Sequence, residues 1–110
     1  MEPLHGLLDM LVLRTLVFGP LHGYAIAKAI RSTSDEAIEI EFGSLYPALK
    51  RLEAKGWIAS KWETSDHNRR AKTYRLTPAG KKRLHEEHSE WKEFAAAIAR
   101  VMRSAPEEER

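Results

Sequence analysis

The stretch Gly-Ser-Leu-Tyr-Pro-Ala-Leu-Lys-Arg-Leu-Glu-Ala-Lys-Gly, residues 43–56, decides how the rest of the chain is read. Leu45, Ala48, Leu49 and Leu52 recur at helical spacing and make a narrow apolar face. Pro47, Lys50, Arg51 and Ala54 fall on the opposite side, which is small at one end and basic along its middle. Ser44 is placed to accept a hydrogen bond from a backbone N–H of the first turn. Pro47 then falls in that turn, where a missing N–H costs nothing. Gly56 can end the helix in a left-handed conformation. A helix with one side buried and a slim basic side exposed fits a DNA major groove. Taken alone it better describes a solvated Lys/Arg face.

The residues that follow favour the first reading. Residues 57–62 alternate apolar and polar, and residues 73–77 do likewise, so both predict short antiparallel strands. Between them residues 63–72 are too polar to bury and predict a projecting hairpin tip. Arg69, Arg70 and Lys72 cluster there. A basic β-ribbon beside a basic helix is the winged-helix arrangement, in which the ribbon reaches phosphates or the minor groove.

Upstream, Leu4, Leu7, Leu8, Leu11, Val12 and Leu16 predict a first helix over 4–18, ended by Gly19-Pro20. Leu13 and Val17 widen its apolar stripe, so either the core or a second chain must wrap it. A second helix opens at His22-Gly23-Tyr24 and buries Ile26, Ala27 and Ile30. Tyr24 stands where a helix can approach a phosphate, or else caps the small core with its ring. His22 reads as a packing or capping residue. Residues 32–42 form an acidic connection, with a short strand expected at 38–40. Helix, short connection and basic helix make a helix-turn-helix.

The last helix starts at Thr77 as N-cap, with Pro78 at its first position, and runs to about residue 103. At about 1.5 Å per residue it is roughly 40 Å long. Leu84, His88, Trp91, Phe94 or Ala95, Ile98, Val101 and Met102 line one side at coiled-coil spacing. A headpiece of about 75 residues cannot cover that length, so the stripe calls for its copy in a second chain. The expected fold is mainly α with a small β-hairpin. Residues 1–77 make a winged helix-turn-helix domain, 78–104 a dimerisation helix, and 105–110 a frayed tail.

Composition agrees. The chain has 110 residues, 43% hydrophobic and 31% charged, with no cysteine, so disulfide and thiolate chemistry are excluded. No uncharged apolar run reaches the ~18 residues of a membrane span, no signal peptide is read, and the expected location is cytoplasmic. The net charge of +2 hides an uneven distribution. Residues 1–42 carry three Lys/Arg against six Asp/Glu, residues 43–83 eleven against three, and residues 84–110 four against seven. A basic middle between acidic ends points one surface at a polyanion.

These segments resemble the PadR family of bacterial transcriptional regulators. The resemblance rests on Leu-His-Gly-Tyr (21–24), Gly-Ser-Leu-Tyr-Pro-Ala-Leu-Lys-Arg-Leu-Glu (43–53), Gly-Trp-Ile (56–58), Asn-Arg-Arg-Ala-Lys-Thr-Tyr (68–74) and Leu-Thr-Pro-Ala-Gly (76–80), in family order. Together they are specific and cover nearly the whole chain. The short tail resembles the branch with one C-terminal helix. The resemblance implies a homodimeric repressor bound to an operator in double-stranded DNA. Ser44, Tyr46, Pro47, Lys50, Arg51, Arg69, Arg70 and Lys72 would face the DNA, with Tyr24 near a phosphate. The first helix, through Leu4, Leu8 and Leu11, would join the last helix in the dimer interface. Some members bind phenolic acids or flat drugs between subunits against an aromatic side chain, a position Trp91 matches. A planar aromatic effector is therefore expected, or alternatively a dimer-core role for Trp91. No cofactor or metal is implied.

The histidines of the last helix raise two other classes. His85-Glu-Glu-His88 superficially resembles metalloprotease ligation, but its histidines are three apart rather than four, and no nucleophile–base pair or phosphate loop accompanies them. Catalysis is not expected. A regulator sensing metal or pH through His85 and His88 would share the DNA-binding half and differ only in its effector.

Overall fold

A computed structural model describes residues 3–64 and 67–104, with side chains from Gly6 onward. The tip residues 65–66, the tail 105–110 and the side chain of Leu4 lie outside the described residues. The order is α1 (Pro3–Thr15), a 3-10 turn (Leu16–Phe18), β1 (Leu21–His22), α2 (Gly23–Thr33), α3 (Phe42–Ala54), β2 (Ile58–Thr64), β3 (Arg70–Leu76) and α4 (Pro78–Arg103). The fold is therefore mainly helical with one small antiparallel sheet, as the periodicities predict.

The core forms where the apolar faces of three helices meet the base of the sheet. Val12, Leu13 and Leu16 meet Ile26 and Ile30 of α2 and Leu45, Leu49 and Leu52 of α3, and Ile58 and Tyr74 close it from below. These side chains are nearly or fully buried. Burying an aliphatic side chain of this size contributes on the order of 2 kcal/mol. The four residues read as the inner face of the organising helix, Leu45, Ala48, Leu49 and Leu52, are all buried.

Several local expectations are corrected. Ser44 is not the cap of α3. The cap lies three residues earlier, at Glu41, which makes no side-chain cap bond. Pro47 consequently lies one turn inside, where its ring nitrogen cannot donate to the Gly43 carbonyl. Gly56 does take a positive φ of 77° just beyond the helix. Residues 38–40 form no strand. They leave α2 through Asp35 and Glu36, both at positive φ, and the Ser34 hydroxyl accepts from the Ile38 N–H. The two main strands are longer than the alternation suggests and absorb half of the polar tip, pairing from Ile58 with Leu76 out to Thr64 with Arg70. Helix α1 passes into the 3-10 turn after Thr15, whose hydroxyl donates to the Leu11 carbonyl.

Strand β1 was not anticipated. Its two residues pair with Tyr74 and Thr73, giving the order β1-β3-β2. The His22 ring adds to this join, its Nδ1 lying 3.1 Å from the Lys72 carbonyl. A carbonyl only accepts, so Nδ1 carries the proton in that bond.

The start of α4 is fixed as expected, with the Thr77 hydroxyl accepting from the Gly80 N–H. Gly80 is needed for contact rather than for φ. A Cβ there would collide with the Trp57 carbonyl oxygen. The first half of α4 lies along α1, and Leu84 joins Leu8 and Leu11 in packing against the protein's own core. The second half leaves the body, stretching the molecule to 65 × 27 × 22 Å. No helix among the described residues is long and apolar enough to cross a membrane.

Candidate nucleic-acid interface

The outer side of α3 carries Phe42, Ser44, Tyr46, Pro47 and Lys50, all exposed. It follows directly from the buried 45/48/49/52 stripe, since what the core does not take must face outward. Arg51 behaves differently from the sequence reading, which set it beside Lys50 as an outward cation. Its guanidinium donates to Asp9 Oδ1 at 2.6 Å. The Asp9 side chain is only 11% exposed and that of Arg51 47% exposed. Arg51 therefore ties α3 to α1, and Lys50 is left as the outward cation of this helix.

Residues 70–72 bring their cations to one face of the sheet. Register places Trp62 opposite Lys72. The Arg70 guanidinium sits 5.0 Å and the Lys72 ammonium 5.5 Å from the Trp62 ring centroid. An indole face attracts both charges, so Trp62 holds the two wing cations in a defined place. Lys72 is also 4.0 Å from Glu53, a carboxylate that accepts from the Ser60 hydroxyl. Arg69 lies just before β3. Nearer the tip, Glu63 accepts from the Thr73 hydroxyl at 2.7 Å and pairs with Lys61 at 3.3 Å. The hydrogen bond from Thr73, then that from Lys61, holds the Glu63 carboxyl below its usual range.

Helix and wing face a shared cleft of about 400 Å³, bordered by Tyr24, Tyr46, Trp62, Lys72 and Tyr74. Burial, with the nearby Glu53 charge, pushes the Tyr74 hydroxyl up from its ordinary value, so it stays neutral at pH 7 and offers a proton donor at the base of the cleft. Tyr24 is exposed and stacks on Phe42; it is not a core cap. The site thus combines aromatic faces, hydroxyls and cations with few carboxylates, which suits a polyanion with planar bases.

A second surface lies between α1 and α4. A groove of about 590 Å³ is lined by Met10, Leu11, Arg14, Val17, Lys81, Leu84, His85, His88 and Trp91. Beyond it Ile98, Val101 and Met102 are exposed, the last two at 71% and 77%. Trp91 and Phe94 stay half-buried and pack on each other with centroids 6.0 Å apart. Leu8, Leu11 and Leu84, expected in a dimer interface, are at least partly occupied within the chain. Among the described residues no three His, Asp or Glu side chains converge as a metal site.

Sequence reasoning missed Phe42 and Trp62 as site residues. Phe42 stands one residue ahead of the quoted motif, and Trp62 gains meaning only from its cross-strand partners.

Comparison with known proteins gives these surfaces a context. The sequence pattern of the Transcriptional regulator PadR-like family matches residues 12–86. A 37.1 kDa transposon protein of Streptomyces fradiae is 44% identical over 102 residues, covering 92% of this chain. The match spans only 27% of that relative's length. A PadR family transcriptional regulator of Eggerthella lenta superposes with TM-score 0.77 at 35% identity, over 92% of this chain and 86% of its own. PadR of Bacillus subtilis, whose crystal structure was solved in complex with operator DNA, superposes with TM-score 0.67 at 29% identity, over 73% of this chain and 45% of its own.

Proposed function

The chain belongs to the PadR-like family of transcriptional regulators, and on that premise we propose that it is a homodimeric repressor that binds a pseudo-palindromic operator and is released by a small aromatic effector. The observation that carries the DNA half is the shared orientation of the α3 face and the wing. Phe42, Tyr46 and Lys50 on one element and Trp62, Arg70 and Lys72 on the other belong to surfaces that meet at one cleft. The Bacillus subtilis relative crystallised with operator DNA supports the same use.

In this reading α3 enters the major groove. Ser44, Tyr46, Pro47 and Lys50 meet base edges or flanking phosphates, and Arg51 keeps the helix at its angle through Asp9. Arg69, Arg70 and Lys72 contact phosphates, as does the Tyr24 hydroxyl. These contacts supply position and salt dependence rather than sequence readout. The exposed Ile98, Val101 and Met102 support a second copy packed along α4, because none of the described residues covers them. Two copies would set their recognition helices about 34 Å apart, one turn of duplex.

The α1–α4 groove supports the effector half. Its lining joins apolar side chains and Trp91 with Arg14, Lys81 and two histidines. Such a site suits a planar aromatic acid stacked on Trp91. It suits a divalent cation poorly, since Arg14 and Lys81 would repel one. A ligand that prefers one arrangement of the α4 helices would change the spacing of the recognition helices. A protein of this kind works in the cytoplasm, beside the DNA.

The test is footprinting on the DNA flanking its own gene, with solution mass measured alongside. A protected two-fold site and a dimer mass are expected. A monomer at micromolar concentration that shifts no genomic fragment would end the proposal. Trp91 fluorescence titrated against planar aromatic acids tests the effector separately, and a flat response across the panel removes that half.

A further inference from the structure

Three aromatic rings run across the elbow between α2 and α3. The Tyr24 and Phe42 centroids are 5.9 Å apart with planes 24° from parallel, and Phe42 and Tyr46 are 5.8 Å apart at 31°. Phe42 is the middle ring. It is the first residue of α3 and 44% exposed, and it lies outside the core cluster. Tyr46 is anchored from behind. Its ring lies against Gly23, where a Cβ would sit 2.9 Å from Cε1. The strip is thus rigid at its base and open to solvent at its crest.

The N-terminal residues of a recognition helix are those that meet base edges. A phenyl ring has no donor or acceptor with which to read a hydrogen-bond pattern. The floor of the major groove offers one apolar group, the C5 methyl of thymine. We propose that Phe42, clamped between Tyr24 and Tyr46, reads a thymine methyl at the position facing the start of α3 in each half-site. The inference rests on the DNA-binding reading above and adds a specificity determinant to it. The clamp matters because the ring already packs against a neighbour on each side in the free protein, so less rotamer freedom is lost on binding. The flanking Tyr24 and Tyr46 hydroxyls can hold neighbouring phosphates, which fixes the register of the phenyl over the base.

The test uses duplexes selected by the full chain from a random pool, with each thymine replaced in turn by deoxyuridine. That change removes one methyl and leaves every Watson–Crick bond. The parent protein is expected to lose about fourfold in affinity per methyl removed at the facing position. Phe42→Ala should bind the thymine and uracil forms equally, and Phe42→Leu, which keeps an apolar body, should retain part of the difference. A parent indifferent to uracil at every position overturns the methyl assignment and leaves DNA binding standing. So does Phe42→Ala that discriminates as well as the parent. A parent that binds no duplex overturns both readings.

Discussion

Asp9 and Arg51, 42 residues apart in the chain, join α1 to α3 through a 2.6 Å charged hydrogen bond. The two ends of that bond are unequal, with the carboxylate nearly sealed and the guanidinium half in water. Removing either partner therefore has different consequences. Arg51→Met strands a buried carboxylate and should cost about 3 kcal/mol of stability. Asp9→Asn frees an arginine that water can solvate and should cost about 1 kcal/mol. The double variant should recover part of the Arg51→Met loss, which urea denaturation of all four proteins would reveal as a coupling energy. Losses that simply add in the double variant, with no coupling energy, would show that the bond does not hold the helix.

Gly43 predicts opposite signs for stability and binding. Nothing lies within 4 Å of a Cβ built there, and its φ is not positive. The fold itself gives no reason for glycine at an exposed position inside α3. Alanine should stabilise the helix by up to about 1 kcal/mol. If a DNA strand is the neighbour that needs the space, Gly43→Ala should also weaken operator binding about tenfold, the equivalent of one lost close contact. Thermal melting and a gel shift on the same preparation check both. A variant that is more stable and binds as well as the parent would remove Gly43 from the interface.

How much of this was legible beforehand depends on the range of the interaction. The helices and the Thr77 cap are local, so the spacing of Leu45, Ala48, Leu49 and Leu52, or Thr-Pro ahead of an apolar stripe, is enough to place them. The placement of the α3 cap failed because Ser44 is a good capping residue, yet the helix gains three more residues by starting at Phe42. Strand β1 carries no alternation because two residues cannot show one. The fate of Arg51 depended on a carboxylate on another helix, and Trp62 matters only through residues across the ladder. Phe42 gives no periodic signal, since the function of its ring comes from neighbours on α2 and one turn further along α3.

Trp62 and Arg70 should separate on a salt titration. Arg70→Ala removes a cation that the proposed interface sets against phosphate, so affinity for operator and random DNA should fall alike. The slope of log affinity against log salt should drop by about 0.9. Trp62→Leu removes no charge but releases Arg70 and Lys72 from the ring. Its affinity should fall severalfold with the slope nearly unchanged, because the same cations still displace the same counterions. A Trp62→Leu curve that overlays the parent at all salt concentrations would show that the ring does not position them.

Glu63 gives a pH signature on the wing. Its carboxyl titrates low because the charged form accepts from Thr73 and Lys61. A depressed folded value contributes stability above the unfolded value and loses it as pH falls through the folded one. The window is therefore acidic, below the usual carboxylate range, and neutral-pH binding should not respond. In Thr73→Val the Glu63 titration, followed by carboxyl NMR, should move upward toward an ordinary glutamate. An unmoved titration would mean that the Thr73 bond is not the cause.

The outer turns of α4 test the dimer apart from DNA. Val101 and Met102 have no covering element among the described residues, while Leu84 and Leu11 already pack against the core. Charges at the far end should thus act on assembly and spare the fold of the single chain. Val101→Glu with Met102→Glu should shift the sedimenting mass toward the 12.6 kDa of one chain. The far-ultraviolet spectrum of the headpiece should hardly change. Operator affinity should fall by orders of magnitude, because each half-site then binds alone without the other's effective concentration. Affinity for random DNA, which a single wing and helix can supply, should fall far less. A variant that remains dimeric would place the principal contact nearer the Trp91–Phe94 pair, and the same substitutions moved to that level would then be needed to split it.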